Sequence, residues 1–84
     1  MKVVFATSAL KDYRELEQKD IKIFKRINRL LQDIKKTPFS GIGKPEPLKH
    51  KWTGYWSRRI TQEHRLVYKV SEDKIFIAQC KFHY

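Results

Sequence analysis

One stretch of this chain leaves little freedom about what it becomes. After Asp20, the residues Ile21, Phe24, Ile27, Leu30, Leu31 and Ile34 recur at the spacing that lines one side of an α-helix. Asp20 predicts the N-cap. Thr37-Pro38 predicts an end near Lys36, because proline disfavours α geometry in the residue before it. A helix with this pattern has to bury its apolar side against another element. The other side carries Lys22, Lys25, Arg26, Arg29, Lys35 and Lys36. That is either a solvated basic face or a surface for phosphates.

The partner elements are legible on both sides of it. Residues 2–6 are β-branched and aromatic, and predict a first strand. Thr7 or Ser8 offers an N-cap to a helix carrying Leu10, Tyr13 and Leu16. Further on, strands are predicted over 55–60, 65–70 and 74–82, joined by turns at 61–64 and 71–73. Connections that short imply antiparallel neighbours. Leu66, Tyr68 and Val70 share one face of their strand, the one expected to pack on the helices. The order β-α-α-β-β-β predicts a single α+β domain over 1–84, with two N-terminal helices on one face of an antiparallel-rich sheet.

Charge narrows the partners. The 84 residues hold 19 Lys+Arg against 9 Asp+Glu, a net +10, which favours polyanions and makes association fast and salt-sensitive. Nucleic acid is the leading candidate. A membrane is the lesser one, since no run approaches 18 consecutive apolar residues. The first residues are too short for a signal-peptide core, and the single cysteine, Cys80, forms no internal disulfide. Both fit a reducing cytoplasm. Cys80 lies in the apolar run 75–82 and reads as a packed thiol.

Between helix and sheet, residues 37–54 hold all three prolines and all three glycines. A connection this long in a small domain is usually functional or disordered. Within it Glu46 stands between Pro45 and Pro47, on backbone that the two rings stiffen. That suits a positioned catalytic carboxylate; it equally suits a rigid turn with a solvated glutamate. The chain ends on His83-Tyr84 after an apolar run, so a strand would deliver an imidazole and a phenol to one edge of the fold. Histidine is well suited to proton transfer near neutral pH.

No metal site is predicted: His50, His64, His83 and Cys80 lack ligand spacing, and no HExxH or paired CxxC is present. Nor is there a phosphate-cradling glycine loop, so no cofactor is expected. What remains is Glu46, Lys49, Arg59, Arg65, His83 and Tyr84. Metal-independent RNA cleavage needs a base for the 2′-OH proton, cations for the phosphorane, and an acid for the leaving 5′-oxygen. This set holds every role, although each arginine alone is equally at home as a surface or ion-paired residue. Trp52, Tyr55 and Trp56 have faces that stack on bases or fill a core.

Four blocks carry a resemblance: Gly43-Lys44-Pro45-Glu46-Pro47-Leu48-Lys49-His50, Trp56-Ser57-Arg58-Arg59-Ile60, Glu63-His64-Arg65-Leu66-Val67-Tyr68 and the terminal His83-Tyr84. In order and spacing they resemble the YoeB/Txe toxins of the RelE-like superfamily. The resemblance implies a microbial-RNase-like fold and a toxin that cleaves mRNA in the ribosomal A site. It implies Glu46 as general base, Arg65 as transition-state phosphate binder, His83 as general acid and Tyr84 as an orienting group. Lys49 and Arg59 would hold phosphates. Lys22, Lys25, Arg26 and Arg29 would face ribosomal RNA. The implied partners are the 70S ribosome with its mRNA, an acidic YefM/Axe-like antitoxin, operator DNA only together with that antitoxin, and a second copy in a homodimer. A non-catalytic RNA-binding or co-repressor module is the alternative from another class; a membrane-binding basic helix over 20–36 is a weaker third.

Overall fold

The computed structural model describes residues 1–81. A short strand β1 (Lys2–Phe5) leads into helix α1 (Thr7–Lys19) and helix α2 (Ile21–Lys36). Then come a two-residue strand β2 (Glu46–Pro47), a 3-10 turn (His50–Trp52), and strands β3 (Trp56–Arg59), β4 (Arg65–Ser71) and β5 (Lys74–Gln79). The sheet order is β1-β5-β4-β3-β2. β2 to β5 pair antiparallel with sequence neighbours, and β1 alone runs parallel, beside β5. The α+β order expected from sequence holds, with β2 as an addition inside the proline-glycine segment.

Helix α2 forms as its periodicity dictates. Asp20 caps it, its carboxylate accepting from the Ile23 N–H at 3.3 Å, and Thr37 ends it, its N–H donating to the Asp33 carbonyl. Ile27, Leu30, Leu31 and Ile34 are buried against Leu66, Tyr68, Ile75 and Ile77 of the sheet, with Ala9 and Leu16 of α1 and Ile60. Ile21 departs from the pattern: at 50% exposure in the first turn it lies outside this core. For α1 the expected hydroxyl cap is absent. Ala6 takes the cap position and its carbonyl receives the Leu10 N–H, so Thr7 is already helical. Tyr13 joins the two helices, its hydroxyl donating to Asn28 Oδ1 at 2.5 Å, and burial raises its pKa.

Three strands fall short of the sequence reading. β1 stops at Phe5, β3 runs only over Trp56–Arg59, and β5 ends at Gln79. Cys80 is fully buried, with its thiol directed at the Ala9 carbonyl. Loss of solvation pushes that thiol up to about 12, as expected of a packed cysteine.

Candidate active site on the open face of the sheet

The helices cover one face of the sheet, and strand alternation decides what the other face carries. Along β3, Trp56 and Arg58 point to the helices and Ser57 and Arg59 away from them. Register then does the assembling. Glu46 lies opposite Ser57, Ser57 opposite Val67, and Arg59 opposite Arg65. Opposed residues share a face, so Glu46, Arg59 and Arg65 stand together on the open side. Arg65 Nη1 reaches Glu46 Oε1 at 3.5 Å, a contact that spans the width of β3. Arg65 is mostly covered, at 17% side-chain exposure, while the Glu46 carboxylate is half exposed at 53%.

Glu46 owes its position to a braced segment. Leu48 is buried, and its N–H donates to the Tyr55 carbonyl at 2.9 Å. Between these points residues 49–54 close a tight loop around the 3-10 turn. Glu46, Lys49, His50 and Trp52 line an open groove of about 510 Å³. Lys49 therefore shares a concavity with the carboxylate. Trp52 packs edge-on against Tyr55, whereas Trp56 stacks on the exposed Phe39 and against the core. Lys44 and His50 both take positive φ, a conformation unusual for residues with a Cβ.

The part that sequence reasoning missed lies beneath the site. Arg58 is fully buried. Its Nη1 donates to Asp33 Oδ2 at 2.6 Å and to the Ile42 carbonyl at 3.1 Å. Its Nη2 donates to the carbonyls of Thr37 and Ser40 at 2.7 and 2.8 Å. Nε donates to the Tyr68 hydroxyl, which itself donates to the Pro38 carbonyl. One guanidinium thus organises the whole turn from Thr37 to Ile42. Gly41 completes it: a Cβ there would collide with the Asp33 carboxylate. The hydrogen bond from Arg58 holds the Asp33 carboxyl below the usual carboxylate range, helped by the Ile42 N–H. Burial raises the pKa of Tyr68, with the Arg58 hydrogen bond opposing. The signal for Arg58 was present in the alternation. Trp56, Arg58 and Ile60 occupy one side of the strand, which sets an arginine between two core positions.

On α2, Lys22, Lys25 and Arg29 are exposed. Arg26 donates instead to the carbonyl of Arg59 at 3.4 Å, tying the helix to the end of β3. His83 and Tyr84 lie outside the described residues. Among those that are described, no three His, Cys, Asp or Glu side chains group as metal ligands, and no helix is long and apolar enough to cross a membrane.

Residues 5–84 match the family model of the YoeB-like toxin of bacterial type II toxin–antitoxin systems. The chain belongs to that family. It is 51% identical to Toxin YoeB of Escherichia coli K12 over the full length of both chains. The YoeB/ParE toxin from Agrobacterium tumefaciens superposes with a TM-score of 0.97 at 49% identity, covering 100% of each chain. A YoeB chain from Staphylococcus aureus, solved in a YoeB–YefM complex, matches with a TM-score of 0.94 at 48% identity, over 100% of this chain and 98% of that one. The same organism's YoeB has also been solved as a dimer. The resemblance drawn from four short blocks therefore extends over a whole YoeB-like domain, and the open-face cluster is built on that scaffold.

Proposed function

We propose that this YoeB-like toxin is an mRNA endoribonuclease that acts in the ribosomal A site and arrests translation. The observation that carries the reading is the Glu46–Arg65 contact, with Arg59 opposite Arg65, on the face that the helices leave open. A carboxylate and a guanidinium in contact, with a second arginine on the neighbouring strand of the same face, suit a phosphodiester and its 2′-OH.

The Glu46 carboxylate takes the proton of the 2′-OH. The freed 2′-oxygen attacks phosphorus, forming the O2′–P bond. Arg65 and Arg59, with Lys49 from the adjoining groove, hold the non-bridging oxygens as negative charge accumulates there. The P–O5′ bond breaks, and His83 supplies the proton to the leaving oxygen, with Tyr84 orienting it. The products are a 2′,3′-cyclic phosphate, or the 3′-phosphate after hydrolysis, and a 5′-hydroxyl. Side chains perform every step, so no metal is required, and cleavage should survive a chelator once ribosomes are kept intact.

The surroundings suit such a substrate. A net charge of +10 supplies sequence-independent affinity for rRNA and mRNA. Lys22, Lys25 and Arg29 are exposed on the helix side, where they would meet ribosomal RNA and not the scissile bond, and Arg26 would join them from its place at the end of β3. The same charge attracts an acidic YefM-like antitoxin, whose disordered segment would fold over the sheet and silence the site in the cytoplasm. Operator DNA would be bound only by the two together, and a homodimer would be one state of the free toxin.

Mapping mRNA 5′-ends after brief expression tests the reading. Cuts within translated codons are expected, and Glu46→Gln and Arg65→Met should remove them. Arrest of translation with unchanged mRNA ends would instead mark a non-catalytic ribosome binder.

A further inference from the structure

Among the described residues, two buried side-chain polar atoms have no hydrogen-bond partner: Ser57 Oγ and Arg65 Nε. They belong to the same face and to adjacent strands. Ser57 is fully buried and lies opposite Glu46 in the β2–β3 pairing. Side chains opposed in this way sit about 5 Å apart at Cβ, within reach of a hydroxyl and a carboxylate. The Glu46–Arg65 contact crosses the face of β3 that carries Ser57 and Arg59, with Ser57 level with Glu46. A buried hydroxyl without a partner costs stability, and such groups in a native fold call for a reason.

From this arrangement we infer that Ser57 is a positioning residue for Glu46, receiving the carboxylate when substrate phosphate takes Arg65 away from it. At 3.5 Å and half exposed, the Glu46–Arg65 contact is a loose one, and a phosphodiester competes for the guanidinium with better geometry. Once Arg65 turns to the phosphate, Glu46 loses its cation. The Ser57 hydroxyl then donates to one carboxylate oxygen and leaves the other free to face the 2′-OH. The base thus keeps one orientation through the exchange. The inference rests on the reading of Glu46 as the base, and it assigns the hydroxyl a task that the uncomplexed chain does not use.

The test has two arms. In the first, Ser57→Ala, Ser57→Cys and Ser57→Thr are assayed on ribosomes programmed with a short message. Ala and Cys should lower kcat about tenfold with KM within twofold, and Thr, which keeps the hydroxyl, should stay within threefold of the parent. Equal kcat for all three, or a loss carried by KM alone, overturns the assignment.

The second arm needs no cleavage. Arg65→Met removes the cation while keeping the side chain's bulk, so the exchange should occur in the free protein. Ser57→Ala should then lower Tm by about 3–6 °C in the Arg65→Met background. It should leave Tm unchanged or higher in the parent, and be neutral again when Glu46→Ala is added. No difference between backgrounds overturns the proposal. If the parent cuts no message, the nuclease reading falls, and the melting cycle alone decides the Ser57–Glu46 coupling.

Discussion

The Arg58 guanidinium and the Asp33 carboxylate meet at 2.6 Å beneath the turn that leads to Glu46. The pair joins α2 to β3. It also fixes four further oxygens, the carbonyls of Thr37, Ser40 and Ile42 and the hydroxyl of Tyr68. The face that carries Glu46 and Arg65 is presented on one side of β3 and braced from the other.

Removing the brace should unfold much of that support. Arg58→Met leaves a carboxylate and several carbonyls without their donor, and breaking a buried pair from one side is strongly destabilising. A fall in Tm of roughly 10–20 °C is expected. Arg58→Lys should recover little of it, because an ammonium cannot reproduce the five-donor fork. Thermal denaturation followed by circular dichroism checks both.

Asp33 should make stability depend on acid. The hydrogen bond from Arg58 lowers its pKa in the fold below the ordinary carboxyl value. A carboxyl shifted down contributes stability above its unfolded pKa and loses it as pH falls through the folded one. The loss therefore begins near pH 4 and deepens below it. Tm measured from pH 6 to pH 2.5 should fall more steeply for the parent than for Asp33→Asn, which starts lower and has no such charge to lose.

Cys80 should be silent in the folded protein. With its pKa raised to about 12 and no exposed surface, it offers no thiolate at pH 8. A thiol reagent should label it only as fast as the domain opens, and at once in denaturant. Rapid labelling of the native chain would place the residue elsewhere.

How much of this was legible in the residues follows from the range of each interaction. The α2 periodicity, the Asp20 cap and the stop at Thr37-Pro38 are local, and the chain adopts them. The alternation of Leu66, Tyr68 and Val70 gave the correct packing face. The parallel pairing of β1 with β5 leaves no local mark. Nor does the register that brings Glu46 to Arg65, since either residue moves to the other face with a slip of one position. The order of segment 37–54 is equally non-local: Arg58, which follows it in the chain, holds the turn from Thr37 to Ile42, and pairing with β3 holds Glu46 and Pro47. Ile21 shows the converse: a residue can obey the helical repeat and still be half exposed at the first position of the helix.

The site residues themselves should separate activity from folding. Glu46 is half exposed and its contact with Arg65 is long, so Glu46→Gln should move Tm by only a few degrees, as for surface pairs. Loss of a general base costs on the order of 10²–10⁴ in rate. Cleavage of a programmed message should drop by about that factor while the circular dichroism spectrum stays the same. A variant that loses both together would make Glu46 a structural residue.

The chemistry assigned to the open face turns on one hydroxyl. A message translated in a purified system is given a single 2′-deoxynucleotide on the 5′ side of the mapped cut, and its cleavage is compared with that of the all-ribose message. Transfer of the 2′-OH proton to Glu46 predicts that the ribose message yields a 2′,3′-cyclic phosphate or 3′-phosphate and a 5′-hydroxyl, and that the deoxy message stays whole at that position. Cleavage of the deoxy message at an undiminished rate would contradict it.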